Sequence, residues 1–252
     1  NIRAVIKCPN SCTRIKILNN TSIIKIDIIS PFSIIYFIMK NFLLSLLDWI
    51  YKKKCYFCGS SRDCTIMCND CYNSMSHLPI GINRTILNKE IYACGIYEKT
   101  MQKMIRGLKY HGQRELAYYQ AKFMWEYWQN LSFTEKFQVV PVPIYKTRMK
   151  RRKYNHMELV GEEFCKLTGY ILNTDLIIRV KDTKPQYNLK RFQRMENLSN
   201  AFEVDKSKLL DKPILLLDDI CTTGSTFESM IQELNKKDIY NITCLATATV
   251  DF

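Results

Sequence analysis

Two groups of side chains in this sequence have the types and spacing to do chemistry. The first lies in Ile214–Ser229, ILLLDDICTTGSTFES, where four apolar residues run into two adjacent carboxylates, Asp218 and Asp219. Thr222, Thr223, Gly224, Ser225 and Thr226 follow. Hydroxyls, a glycine and the start of a helix make a cradle for an anion: glycine lets backbone N–H groups approach, and a helix N-terminus carries partial positive charge. Carboxylates suit a phosphate badly but accept well from vicinal sugar hydroxyls, so cradle and pair together point to a phosphorylated ribose. The loop lacks the lysine of a GxxxxGK[ST] motif, which argues against a nucleoside triphosphate. The second group is Cys55-Tyr-Phe-Cys58, nine residues, then Cys68-Asn-Asp-Cys71. Each pair presents two thiolates from one tight turn, and four thiolates complete a tetrahedral Zn²⁺ site with no position open to water, hence a structural one. Gly59 supplies the turn after the first pair, and Cys64 is a spare thiol that could replace one of the four.

The elements that must position these groups follow from the apolar pattern. Ile214–Leu217 reads as a buried parallel strand. A strand, polar loop and helix in that order put the loop at the strand's carboxyl end, where open α/β sheets bind ligands. Ile91–Tyr97, Phe137–Ile144, Leu176–Val180 and Ile242–Val250 are further strand expectations, the second bounded by Pro141 and Pro143. Lys99–Tyr119 reads as a helix interrupted near Gly112, and Met157–Thr168 as one stopped by Gly169. The rings of Phe123–Trp128 read as core. Between Lys146 and Lys153, directly after a strand, six of eight residues are Lys or Arg. A solvated face, a nucleic-acid patch and a pyrophosphate-binding loop all fit that run. Lys181–Asn200 is long, polar and basic, the composition of a lid or of a surface helix.

Composition sets the frame. The chain has 252 residues, 47% hydrophobic and 24% charged, ordinary for a soluble globular protein. A net charge of +13 favours polyanionic partners. Eleven cysteines with two CxxC pairs argue for a reducing compartment, and we expect a cytoplasmic protein. Ile28–Ile50 is largely apolar, but Pro31, Lys40 and Asp48 interrupt it, so no membrane insertion is expected. Residues 1–38 are rich in isoleucine, lack glutamate and show no amphipathic period, and we expect a non-native or disordered extension there. Residues 39–80 then form a helix and zinc-ribbon module, and 85–252 the main domain.

LLLDDICTTGST closely resembles the phosphoribosyl-pyrophosphate (PRPP) motif of type I phosphoribosyltransferases. With the paired CxxC ribbon, VVPVP and its basic run, and the pattern Arg179, Gln186, Leu189, Arg194, Asn197, Ala201 and Phe202, the chain resembles the ComF family of competence-associated proteins over Met39–Val250. That resemblance implies an α/β fold: a parallel sheet flanked by helices, with an N-terminal zinc ribbon. It implies displacement of pyrophosphate from C1 of PRPP by a nitrogen nucleophile. Asp218 and Asp219 would hold the ribose hydroxyls, directly or through Mg²⁺, Thr222 to Thr226 the 5′-phosphate, and Arg148 and Arg152 the pyrophosphate, with Arg194 on the lid. It equally allows a non-catalytic scaffold or sensor that binds single-stranded DNA or a competence helicase. Where the family usually reads Arg-Gly-Phe-Asn-Gln, this chain has Arg152-Lys153-Tyr154-Asn155-His156. Mutual repulsion of the two carboxylates predicts that neutralising Asp219, as in Asp219→Asn, leaves the fold intact.

Overall fold

The computed structural model describes the backbone of residues 6–7, 13–19 and 22–28, together with residues 54–61, 65–182 and 200–250. The chain divides into two units, Asn1–Lys54 and Cys55–Phe252. In the first, β1 (Ile6–Lys7), β2 (Thr13–Asn19) and β3 (Ser22–Ile28) form an antiparallel sheet in that order. Three strands thus fall within residues 1–38, where the sequence offered no period to read. The helix expected from Met39 lies outside the described residues, as do Cys64 and the lid candidate Arg194.

The second unit begins at the cysteine knuckles and runs through α1 (Asn69–Asn73) and a hairpin of β4 (Arg84–Ile86) and β5 (Lys89–Ile96). Two helices follow, α2 (Lys99–Tyr110) and α3 (Leu116–Trp128), separated at His111–Glu115. The single helix expected over Lys99–Tyr119 is therefore two, because Gly112 takes a left-handed backbone at φ 68° that ends the first. Then come β6 (Gln138–Pro141), α4 (Lys146–Arg152), α5 (His156–Thr168) and β7 (Ile171–Leu172). The basic run is thus a short helix rather than a loop, as suits a stretch of Lys, Arg and Met. β8 (Ile177–Arg179) pairs with β9 (Phe202–Val204) in a small antiparallel ribbon. The chain ends through β10 (Ile214–Cys221), α6 (Ser225–Asn235) and β11 (Ile242–Thr249).

The main sheet has the order β4-β5-β11-β10-β6-β7, parallel except for the β4/β5 hairpin. Strand alternation divides its core. Leu215, Leu217, Val139 and Leu245 pack with α2, α3 and α5, whereas Ile214, Leu216, Val140 and Cys244 pack with α6. Helices therefore cover both faces of a mostly parallel sheet, the fold class expected from the sequence. Phe123, Tyr127 and Trp128 of α3 are buried and Trp125 is partly buried, so these rings belong to the core. Among the described residues, no helix is long and apolar enough to cross a membrane.

The knuckles dock on α2. Tyr56 donates to His111 Nδ1 or accepts from it at 2.5 Å, and Lys103 Nζ donates to the Phe57 carbonyl at 2.9 Å. A Cβ at Gly107 would lie 2.7 Å from Leu116 Cδ1 and 3.1 Å from Tyr56 Cε1, so the missing side chain is what lets knuckle and helix meet. Gly107→Val should overpack this junction and lower stability by about 1–3 kcal/mol, read as a fall in melting temperature. An unchanged melting temperature would show that the knuckle does not rest on α2.

Candidate active site

β10 and β6 lie side by side, yet the chain leaves them toward opposite edges of the sheet. α6 carries it from β10 to β11, while α4 and α5 carry it from β6 to β7. Such a divergence opens a crevice outside the carboxyl ends of the strands. A cavity of about 1100 Å³ occupies it, walled by the last residues of β10 on one side and by α4 on the other. Asp218, Asp219, Thr222, Thr223 and Thr226 line it, as do Arg148 and Arg152. The structure thus brings together the diol, phosphate and pyrophosphate candidates read from the sequence.

Ser225 and Gly224 serve the loop from beneath. Ser225 is buried, and its hydroxyl is 2.7 Å from that of Thr223. Gly224 precedes α6 at φ 80°, and a Cβ there would fall 2.2 Å from Ile86 Cδ1, so only glycine passes β4 at this point. Arg84 of β4 donates to the Thr222 carbonyl at 2.6 Å, and Thr249 donates to the Cys221 carbonyl at 2.9 Å. Cys221 is buried against the α6-side core, in keeping with a packing role.

The two carboxylates differ. Asp219 shares the strand face of Leu215 and Leu217, the side covered by α2 and α5, and is 5% exposed. Its Oδ2 accepts from Lys109 Nζ of α2 at 2.5 Å and from His156 Nε2 of α5 in a short contact. Burial pushes its carboxyl up, but Lys109 and His156 outweigh burial and hold Asp219 well below the usual carboxylate range. Burial likewise disfavours the Lys109 ammonium, and Asp219 more than compensates, raising its pKa. For His156, burial prevails over Asp219, and the imidazole titrates below its ordinary value. Asp218 lies on the other strand face; burial, then the neighbouring Asp219 charge, push it up to about 7. The repulsion argument made from the sequence therefore applies to Asp218 and fails for Asp219, whose charge Lys109 depends on.

α5 is held so that His156 meets Asp219. Asn155, 1% exposed, caps the helix by accepting from Met157 N at 3.1 Å and donates to the Val142 carbonyl at 3.1 Å. Tyr154 donates to the Leu108 carbonyl at 2.5 Å, joining α5 to α2. Lys153 ends α4 with a left-handed backbone, φ 66°. It stands where the family usually has glycine, so the conformation survives the substitution at a local cost. Arg151 of the basic run lines the cavity too, as do Lys109, Arg106 and Tyr110, for which no functional role was legible in the sequence. Lys109 stands in the last turn of α2. Its signal was its spacing, four residues beyond the core residue Ile105, which puts both on one helix face. Arg179 lines the cavity too, and burial followed by the Arg148 charge brings it down to about 10.

The four knuckle thiols also converge. All Sγ atoms lie within 4.8 Å of one another, with Cys55–Cys71 at 3.8 Å and Cys58–Cys68 at 3.7 Å. Zinc–sulfur bonds of about 2.3 Å in a tetrahedron separate the sulfurs by roughly 3.8 Å, so the cluster fits Zn²⁺. Gly59 turns the first knuckle at φ 75°. Burial disfavours the Cys55 thiolate, but backbone N–H groups of Cys68, Cys58 and Phe57 outweigh it and bring the pKa down to about 6.

Asp218 makes the site's stability respond to pH. Its folded pKa, about 7, lies above the roughly 3.9 of an unfolded aspartate. The folded state thus holds an extra proton between these values, and the stability this confers is lost as pH rises through about 7. Asp218→Asn should gain stability relative to wild type as pH rises from 4 to 8, measured by ligand-free melting curves. A difference that stays flat with pH would place Asp218 in an ordinary solvated setting.

No family model matches the chain. Competence protein F of Haemophilus influenzae is 33% identical over 106 residues, 41% of this chain and 46% of that protein. The DNA utilization protein YhgH of Escherichia coli is 24% identical over 165 residues, 63% and 72% of the two. Competence protein ComFC of Bacillus subtilis is 24% identical over 173 residues, 68% and 67%. The chain spans less than half the length of the first curated relatives it matches. Among solved structures, an allosteric regulatory enzyme of purine biosynthesis is 11% identical with a TM-score of 0.34, over 52% of this chain and 25% of that one. An adenine phosphoribosyl transferase from Trypanosoma brucei is 10% identical with a TM-score of 0.34, over 55% and 66%. Two of these relatives carry the competence names that the knuckles and the Asp218–Thr226 loop led us to expect, a third is named for DNA utilization, and the chain is similar to these ComF-type proteins.

Proposed function

We propose that the cavity binds PRPP with Mg²⁺ and transfers its phosphoribosyl group to a nitrogen nucleophile, in a role tied to DNA uptake or use. One observation carries this reading: a single crevice holds the hydroxyl-rich Thr222–Thr226 loop, an acidic pair at its edge, and Arg148, Arg151, Arg152 and Arg179. Each half of that set suits one part of the ligand. The hydroxyls and the start of α6 suit a 5′-phosphate, and the acidic edge suits a diol. The guanidiniums suit a pyrophosphate, including the charge that grows on it as the C1–O bond breaks and a C1–N bond forms. Asp218 is the carboxylate whose charge is least compensated, so a Mg²⁺ brought with PRPP would relieve it. The names of the relatives, competence protein and DNA utilization protein, supply the cellular role.

A second reading follows from α4, where no residue is buried and Lys150 and Arg151 stand exposed, with Lys153 beside them. On this reading the domain is a non-catalytic scaffold or sensor, and the helix contacts single-stranded DNA phosphates or a competence helicase. Such DNA binding would weaken steeply with salt and survive changes in the Thr222–Thr226 loop.

Isothermal titration with PRPP and Mg²⁺, then a pyrophosphate-release screen over nitrogen bases, separates the two. Wild type should bind PRPP. Thr223→Val should weaken it about ten- to a hundredfold by removing one hydrogen bond to a charged group, worth about 1.5–3 kcal/mol. Wild-type protein that shows no heat with PRPP and Mg²⁺ leaves the scaffold reading standing.

For the cysteine cluster we propose a structural Zn²⁺ held by Cys55, Cys58, Cys68 and Cys71. Reduced, freshly purified protein should carry about one zinc per chain. Cys58→Ser should lower both metal content and melting temperature. Metal analysis that finds none in the wild type sinks the assignment.

A further inference from the structure

His156 sits where the family usually carries glutamine, and its two ring nitrogens face partners of opposite kind. Nε2 meets Asp219 Oδ2, an oxygen that only accepts and already takes the Lys109 ammonium. Nδ1 lies 3.5 Å from Arg152 Nη1, a nitrogen that only donates. The first contact needs a proton on Nε2, and the second needs Nδ1 bare. Either constraint alone picks the same neutral tautomer, and an imidazolium would satisfy only the first. The ring is 4% exposed, so no water competes freely for either nitrogen. The charged groups that face it are Asp219 from β10, Lys109 from α2 and Arg152 from α4. Arg152 itself is fixed on its other side, its guanidinium 5.0 Å from the Tyr110 ring centre, and its Nε is buried with no partner among the described residues.

From this geometry we infer that His156 is a positioning residue: locked as the Nε2–H tautomer, it bridges Arg152 and Asp219 and so sets the span between the pyrophosphate and ribose ends of the cavity. The bridge rests on the PRPP reading for its purpose but not for its existence. A glutamine would reproduce it, because its amide donates from one terminus and accepts at the other, as the neutral ring does. Lysine or arginine would fail at the Arg152 end, and a carboxylate at the Asp219 end.

The tautomer is read directly from the ring ¹⁵N resonances of ligand-free protein at neutral pH. The chain has three histidines, His77, His111 and His156, and His156→Gln assigns the signal by its loss. The expected result is a protonated Nε2 and a bare Nδ1; a proton on Nδ1, alone or with Nε2, overturns the bridge. The second arm measures PRPP affinity with Mg²⁺. His156→Leu should weaken it at least about tenfold, and His156→Gln should stay within about threefold of wild type. Equal losses in the two variants would mark His156 as a packing residue only and overturn the positioning role. If wild type binds no PRPP, the functional reading fails at that point, and the resonance still decides whether the bridge exists.

Discussion

A buried carboxylate at the end of a buried strand is the constraint on which this architecture turns. Asp219 is placed beside a second carboxylate, inside a sheet covered on both faces, where an isolated charge is untenable. It persists because α2 supplies Lys109 and α5 supplies His156 on the same oxygen. Removing one partner of such a pair costs about 3–5 kcal/mol, whereas exposed surface pairs like Lys166–Glu163 contribute little. The rotational setting of both helices is therefore tied to one side chain. The hydrogen bond from Tyr154 to the Leu108 carbonyl and the Asn155 cap keep that setting from drifting.

α2 has a second duty. Its middle, at Lys103 and Gly107, receives the cysteine knuckle, and its last turn delivers Lys109 to Asp219. Only two positions separate the docking glycine from the cavity lysine. A knuckle that loosened would free the turn that holds Lys109, so the cysteine cluster bears on the cavity without lining it. The boundary drawn from composition, a ribbon module ending near residue 80 and a domain starting at 85, describes sequence character more than mechanical independence.

Much of this was legible in the sequence. The run Ile214–Leu217 announced a buried strand, and the hydroxyl loop announced its ligand end, because both signals are local. Knuckle spacing is local too. What escaped were contacts between distant segments: Lys109 and Asp219 are joined only once α2 packs across the sheet, and nothing near Lys109 marks it apart from its helix phase. His156 was seen as a departure from the family pattern, and only the fold shows what its two nitrogens touch. The charge of the basic run was legible in the sequence, and its short helix follows from the helix propensity of Lys, Arg and Met. Arg194 and the lid candidate lie outside the described residues.

The adjacency of Asp218 and Asp219 now has a physical meaning beyond a doubled charge. Consecutive strand residues point to opposite faces, so Asp219 enters the side covered by α2 and α5, where Lys109 and His156 meet it, and Asp218 the other. Asp219 is taken up by its internal partners, and Lys109 and His156 favour its ionised form. Asp218, with no cation of its own in contact among the described residues, has a pKa raised to about 7 by burial and by the Asp219 charge. An arriving cation favours the carboxylate, and an empty site favours the acid. Two neighbouring carboxylates thereby stand in different settings: Asp219 ties the surrounding helices together, and Asp218 faces the cavity. Exchanging their roles would take a one-residue slip of β10, which would also move Leu215 and Leu217 out of their core, and the alternation of that strand forbids it.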